Sequence, residues 1–467
     1  MIKSPRGTRD LLPPDTALWN FVEAAVRDVF RAYNFHEIRT PIFESTELFA
    51  RGVGEETDIV AKEMFTWEDR GGAQSEEFAR LLDLVEEKLG LSIADARDQI
   101  KFFKDAIALG KWKGQSLTLR PENTAGVVRA YIEHKLWDRG LNKLFYIGPQ
   151  FRRERPQKGR YRQFYQIGAE IIGPAAAGSQ SPARDAEILE LLATLLDRVG
   201  IKNWTLELNS VGCPADRARF NEALRQALEP VVGKMCADCQ RRAVTNPLRV
   251  FDCKVPEDQP TIATLPTITQ FLDESCRAHY EEVKNILSAV HIPYVENPRL
   301  VRGLDYYQKT AFEFTHGALG AQNAILGGGR YDGLSEALGG PAAPGIGFAI
   351  GEDRLVLSLM ETAPAEAVVR KPDVYIAPLG AGMNREAARV ARELRRHDLV
   401  ADLVIELGDE SFRLKKSFEA ADKMGARYIL IVGENEVAAD AFALKHLASG
   451  EQVTVPRGKL AQRILQK

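Results

Sequence analysis

Six cations crowd the stretch Phe151 to Phe164, FRRERPQKGRYRQF: Arg152, Arg153, Arg155, Lys158, Arg160 and Arg162, with proline and glycine at turn positions. A hairpin loop of this composition can neutralise phosphates, and arginine forks suit bidentate phosphate contacts. The same pattern also fits a solvated, charged hairpin. Strand-like flanks set the loop apart, and the return strand carries Gln166 and Glu170 four residues apart. Residues at i and i+4 of a strand share a face, so an amide and a carboxylate are expected to face one pocket. A second stretch, Val301 to Tyr307 (VRGLDYY), sets a fixed cation beside two phenols; a surface loop with core tyrosines is the plainer reading. A third runs from Leu326 to Leu334 (LGGGRYDGL) and on to Gly345–Leu355 (GIGFAIGEDRL). Consecutive glycines allow a backbone to approach a ligand or another strand closely. Gly345, Gly347 and Gly351 do not follow the dinucleotide-binding spacing, and no GxxxxGK[ST] occurs. Nucleotide binding must then use neither Rossmann nor P-loop geometry.

Cys236 and Cys239 form a CxxC, with Cys213 before it and Cys253 after. Four such thiolates can hold zinc, but their spacing is loose and free thiols are the simpler expectation. No metal ligands are therefore assigned. The seven histidines show no HExxH-like pairing.

Several elements must position these groups. Trp19 to Tyr33 has Phe21, Val22, Ala25, Val26, Val29 and Phe30 at helical spacing. Glu37 to Phe43 reads as extended, with Pro41 barring a central ladder position. Glu77 to Gly110 reads as a helical hairpin hinged at Gly90, within an insertion spanning 76–115. Strand-like runs follow at Ser116–Leu119, Lys143–Ile147, Arg162–Ile171 and Trp204–Leu208, mostly without βαβ helices between them, which favours an antiparallel sheet. Residues 212–293 read as a helix-rich insertion. Phe348–Ile350 suits a strand that turns into a helix near Arg354. After a linker at Thr362–Pro372, strand and helix patterns alternate through Val432, as in a small, mostly parallel α/β unit.

The bulk numbers limit the class. A chain of 467 residues suggests two or three domains, and 45% hydrophobic with 27% charged residues is ordinary globular composition. A net charge of −3 excludes a globally basic mode of nucleic-acid binding, though not a local basic groove. No apolar run approaches a membrane span, no signal-peptide core precedes Asp10, and five cysteines are few. Cytoplasmic location is expected.

Taken together, these stretches resemble the signature motifs of class II aminoacyl-tRNA synthetases, and among them the histidyl-tRNA synthetase family. Thr40-Pro41 with the preceding helix resembles motif 1, Phe151-Arg152-x-Glu154 with its loop motif 2, and Gly347–Leu355 motif 3. Thr118–Gly126 (TLRPENTAG) and VRGLDYY resemble that family's histidine-pocket segments. The resemblance implies an α+β fold: an antiparallel sheet of six strands flanked by helices, in a dimeric catalytic domain over 1–361. It also implies an inserted helical domain and an α/β anticodon-binding domain over 372–467. The implied activity is attachment of L-histidine to tRNA(His) with ATP and Mg²⁺.

Carried over by position, Glu122, Asn123, Thr124, Gln166 and Glu170 hold the amino acid, and Tyr306 and Tyr307 complete the imidazole pocket. Arg152 and Arg302 flank the α-phosphate and carboxylate, and Arg354 holds the outer phosphates. Phe164 stacks on adenine, Glu154 accepts from its amino group, and Arg155 with Gln157 meets the tRNA acceptor end. Two departures stand out. Glu352 and Asp353 occupy positions where the family usually has a hydrophobic residue and a glutamate, and Asn123 replaces a common glycine. The competing reading is a non-catalytic, histidine-binding regulatory paralogue of ATP phosphoribosyltransferase. Such proteins typically lack the anticodon module.

Overall fold

The structure is a computed structural model. It describes residues 2–54, 57–69, 115–157, 159–301, 306–317, 323–361, 368–380, 382–403 and 414–466. The expected hairpin over 76–115 lies outside these residues, apart from Gln115, which already belongs to a strand. Two compact units divide the chain, 1–367 and 368–467.

The larger unit is built on an eight-stranded sheet. In chain order its strands are β1 (His36–Glu37), β5 (Asn142–Phe151), β6 (Gln163–Ile172), β7 (Trp204–Ser210), β8 (Val295–Glu296), β9 (Gln308–His316), β10 (Ala324–Arg330) and β11 (Gly345–Gly351). Their spatial order is β1-β5-β6-β11-β10-β9-β7-β8. The central six run antiparallel, but β1 pairs parallel to β5 and β8 parallel to β7. The expected antiparallel sheet of six strands is thus present, and a short parallel strand at each edge makes the whole sheet mixed. Two-residue edge strands leave no periodic signal from which direction can be read. Three further strands, β2 (Phe43–Ser45), β3 (Phe65–Asp69) and β4 (Gln115–Leu119), form a small separate antiparallel sheet.

One face of the large sheet is closed by helices. The helix Asp15–Ala32 buries Leu18, Trp19, Val22, Ala25, Val26, Val29 and Phe30. Phe30 meets Phe145 at 5.1 Å and Phe348 at 6.1 Å between ring centroids. Phe21, expected on the same stripe, is 39% exposed. It falls outside the arc that Leu18, Val22 and Val29 complete.

The other face is shaped by alternation. Along β11 the order GIGFAIG puts Ile346, Phe348 and Ile350 toward the helices and Gly345, Gly347, Ala349 and Gly351 on the opposite side. Gly347 lies opposite Glu170 of β6, and Gly351 opposite Gln166. Small residues on one side of one strand make the floor of a depression.

Residues 212–293 are helical, with helices Pro214–Leu228, Ala237–Thr245 and Glu274–Ala289 and several short 3₁₀ turns. Asp185, on the helix Pro182–Val199, ties this region to the sheet. Its buried carboxylate accepts from Arg330, and it is 2.8 Å from Nε2 of His279.

The smaller unit has five strands: β12 (Val374–Leu379), β13 (Ala401–Leu403), β14 (Tyr428–Gly433), β15 (Ala441–His446) and β16 (Gln452–Pro456). β13, β12 and β14 run parallel, while β15 and β16 add antiparallel. The expected mostly parallel sheet is thus half correct. The strand and helix pattern read from the sequence ends at Val432, short of β15 and β16, along which Phe442 and Leu444, then Val453 and Val455, alternate with smaller or polar residues. Among the described residues no helix is long and apolar enough to cross a membrane.

Candidate active site

β5 and β6 form a long hairpin whose tip carries the cations. At the tip, Gln157 and Arg160 exchange backbone hydrogen bonds of 3.0 and 2.9 Å, and Gly159 takes φ +74°, a left-handed value that favours glycine. Arg155 and Gln157 are exposed there. Arg152 lies at the end of β5, with its Nε donating to the Pro121 carbonyl at 2.9 Å. Its guanidinium stands 5.2 Å from the centre of the Phe164 ring. Arg160 bonds the Glu154 carboxylate at 2.8 Å, and Arg152 approaches that carboxylate to 3.9 Å. Arg354, in the first turn of the helix Glu352–Met360, donates to the Ala324 carbonyl at 2.9 Å.

Arg152, Glu154, Phe164, Gln166 and Arg354 line one cleft of about 260 Å³, together with Arg160, Glu313 and Asp353. Burial and then the nearby Arg160 lower the Arg354 pKa, against the pull of Glu154 and Glu313. Cations gathered at this density are a standing attraction for a polyanion. Arg302 lies outside the described residues.

Asp353, one of the two departures in motif 3, is 4% exposed and bonds Arg9 at 2.7 Å and the Tyr165 amide at 3.1 Å. It thereby fastens the N-terminal segment and β6 to the cleft wall. Glu352 is fully buried, and neither of its carboxyl oxygens has a hydrogen-bond partner. Burial, then the charges of Glu23 and Asp353, push it up to about 9.

Behind the cleft lies a polar pocket. Glu170 is fully buried on β6, with Oε1 accepting from the Thr124 hydroxyl and Oε2 from Tyr331, each at 2.7 Å. A Cβ on Gly347 would overlap Oε2. Burial pushes the Glu170 carboxyl up to about 8, opposed by those two hydrogen bonds. Glu122 accepts from the amides of Thr124 (2.8 Å) and Ala125 (3.0 Å), so its carboxylate caps the helix Thr124–Glu133. Asn123 turns its Oδ1 to the Thr40 hydroxyl at 2.6 Å. Arg120 bonds the Thr40 and Pro41 carbonyls, which ties the Thr40-Pro41 segment to the pocket wall.

Tyr306 lies 4.7 Å from Tyr307 and 5.9 Å from Tyr331 between ring centroids. The Tyr307 ring needs Gly329, whose Cβ would come within 2.8 Å of it. Burial, and then neighbouring carboxylates and phenols, raise the Tyr146, Tyr306 and Tyr331 hydroxyls, so all three remain neutral donors. Among the described residues, the Tyr146 hydroxyl and Gln166 Oε1 are buried without a hydrogen-bond partner. Buried polar groups in native proteins are nearly always satisfied, so these two suit a polar ligand.

The histidyl-tRNA synthetase family model matches residues 81–355, and an anticodon-binding-domain model matches 373–467. The histidine–tRNA ligase of Koribacter versatilis is 64% identical over 462 residues, 99% of this chain and 95% of that one.

The chain belongs to the histidyl-tRNA synthetase family.

The Solibacter usitatus histidine–tRNA ligase is 53% identical across 99% of both chains. The crystal structure of apo Staphylococcus aureus histidyl-tRNA synthetase matches with a TM-score of 0.74 at 36% identity, covering 99% of this chain and 100% of that one. With the anticodon-binding module present and identity this high over full length, the regulatory-paralogue reading is set aside.

Family motifs alone did not bring out every residue of the pocket. Tyr331 lies two residues after the glycine run, beyond Arg330, and its amide bonds the Gly345 carbonyl at 2.8 Å, which sets it toward Glu170. Tyr146 lies opposite Gly168 in the β5–β6 ladder, a position that alternation along β5 would have flagged. Arg9 is distant in sequence from every motif, and no local pattern announces it.

Proposed function

We propose that cleft and pocket are the two ends of one active site, where L-histidine is joined first to ATP and then to tRNA(His). Glu170 is the observation that carries this reading: a buried carboxyl oriented by Thr124 and Tyr331, four residues along β6 from Gln166 in the cationic cleft. Four residues of strand span about 13 Å, a ruler for an amino acid laid end to end with an α-phosphate.

In the first step a histidine carboxylate oxygen attacks the α-phosphorus, the bond to the β-phosphate breaks, and pyrophosphate leaves. Two anions must meet, so neutralisation and alignment dominate. Arg152 and Arg302 flank the α-phosphate and the carboxylate, and Arg354 holds the outer phosphates. Arginine stays protonated at any working pH, so this stabilisation needs no tuning. Phe164 stacks on adenine and Glu154 accepts from its amino group. The Glu313 and Asp353 carboxylates line the cleft beside Arg354, and such hard oxygen donors next to phosphates suit Mg²⁺, which would offset their charge.

Glu122, Asn123, Thr124 and Gln166 surround the amino acid. Glu170 and a tyrosine hydroxyl, from among Tyr306, Tyr307 and Tyr331, bond the two ring nitrogens. An analogue without those nitrogens strands buried groups at roughly 1–3 kcal/mol each. In the second step a ribose hydroxyl of the terminal adenosine attacks the activated carbonyl and AMP leaves. Arg155 and Gln157, exposed at the hairpin tip, meet the acceptor end. The enzyme acts in the cytoplasm as a homodimer joined through the Thr40-Pro41 element.

ATP–pyrophosphate exchange with each of the twenty amino acids tests this reading. Only histidine is expected to support exchange, and Glu170→Ala to abolish it while the circular dichroism spectrum is unchanged. Exchange driven by another amino acid, or normal exchange in the variant, would refute the assignment.

A further inference from the structure

The inserted helical region brings Cys236, Cys239, Cys253 and Asp258 together, with one ligand atom from each lying within 4.8 Å of all the others. Cys213, grouped with the other three by sequence, stands apart in a second cluster with Asp216, Asp273 and Cys276. The two clusters differ in their sulfurs, three in the first and two in the second. Asp216 accepts from the amides of Cys213 and Asp273 and pairs with Arg219, and Asp273 caps its helix at the Cys276 amide. Helix capping accounts for that group, which has only two sulfurs.

The first cluster is different. Cys236 is the N-cap of the helix Ala237–Thr245, and Cys239 lies in its first turn. Cys253 ends the 3₁₀ run Pro247–Asp252, and Asp258 closes the turn Pro256–Asp258. Cys236 Sγ lies 3.8 Å from Cys253 Sγ, and Cys253 Sγ lies 3.3 Å from Asp258 Oδ2. Sulfurs bound to one tetrahedral zinc at about 2.3 Å stand about 3.8 Å apart. A disulfide would need them at roughly 2 Å. The Val255 amide points at Cys253 Sγ at 3.4 Å, and the Cys236 amide at Asp258 Oδ2 at 3.1 Å, so both prospective ligands are oriented by the backbone.

The surroundings explain what such a site would do. Cys239 and Cys253 sit within a small core of Phe220, Leu224, Val250 and Ile262. Between Val232 and Gln270 the chain forms only short helices and 3₁₀ turns, each too short to hold its own geometry. Units with so little core depend on a staple, and a closed four-ligand centre is one.

We propose that Cys236, Cys239, Cys253 and Asp258 form a structural Zn²⁺ site that holds the inserted domain together. Soft thiolates in a tetrahedral arrangement select zinc over the hard cations that accompany nucleotides.

The test is metal analysis of the full-length protein, purified under reducing conditions without chelator. About one zinc per chain is expected, and Cys239→Ser or Cys253→Ser should lower it below about one-tenth. Cys213→Ser and Cys276→Ser should leave it unchanged. Cys variants that fail to fold are bypassed by adding Co²⁺ to chelator-treated wild type, which should show thiolate-to-metal charge transfer and the visible bands of tetrahedral cobalt. Wild type holding less than about one-tenth zinc per chain and giving no such spectrum overturns the site. So does zinc retained in folded Cys239→Ser.

Discussion

Gly347 and Glu170 face each other across the β6–β11 ladder so closely that a methyl on Gly347 would overlap the Glu170 carboxylate. β11 alternates small residues on one side with Ile346, Phe348 and Ile350 on the other, which leaves room for the Glu170 carboxyl over Gly347. Gly347→Ala is therefore expected to lower kcat/KM for histidine by at least ~100-fold. Far-UV circular dichroism should be retained, since Gly347 has ordinary strand geometry. Activity within a few-fold of wild type would show that Glu170 does not need that space.

Tyr331 supplies one of the two hydrogen bonds that orient Glu170. Tyr331→Phe removes the donor and keeps the ring, and leaving a buried acceptor unsatisfied costs roughly 1–3 kcal/mol. The expected result is a rise of about 10- to 100-fold in KM for histidine with KM for ATP little changed. Equal changes in both would mean that Tyr331 acts through the fold.

Glu352 is a buried acid without a partner, raised to about 9 by burial. The native state holds its proton across a range in which the unfolded chain releases it. Its contribution to stability is thus present at pH 4.5 and lost as pH rises through about 9. Glu352→Leu, which restores the family's usual residue type, should stabilise the protein by about 1–3 kcal/mol at pH 8 and less at pH 5. Urea titrations at the two pH values check this; a variant destabilised at both would contradict it.

Asp185 shows the opposite sign. Burial alone would raise it, but Arg330 and the His279 hydrogen bond hold it at about 2. Its contribution is present above pH 3.8 and fades as pH falls toward 2. Asp185→Asn removes the fully buried carboxylate partner of Arg330, leaving only Asp332 to balance its charge, and should cost about 3–5 kcal/mol by denaturant unfolding. A loss below ~1 kcal/mol would mean that Asp332 and the neighbouring carbonyls suffice.

Much of this architecture was legible in the residues themselves. The helix over Asp15–Ala32 and strands β5, β6 and β7 follow from period and turn chemistry, and Gln166 and Glu170 share a side because strands alternate. Motif resemblance located the cations, and the fold brings Arg152 and Arg354 to one cleft. Other features depend on long-range pairing, which no local pattern encodes. Tyr331 reaches Glu170 only through the β10–β11 register. Arg9 bonds Asp353 across most of the catalytic unit's length, and Asp258 rather than Cys213 completes the cysteine cluster. The parallel edge strands carry too few residues for an alternation to register, and the terminal hairpin lies beyond Val432, where the α/β pattern read from the sequence ends.

A ligand-bound crystal structure, with histidine and a non-hydrolysable ATP analogue, addresses the central claim most directly. The imidazole is expected against Glu170, the α-phosphate beside Arg152 and the outer phosphates at Arg354, with the histidine carboxylate within reach of the α-phosphorus. A nucleotide bound away from Arg152 and Arg354, or an imidazole with no contact to Glu170, would contradict it.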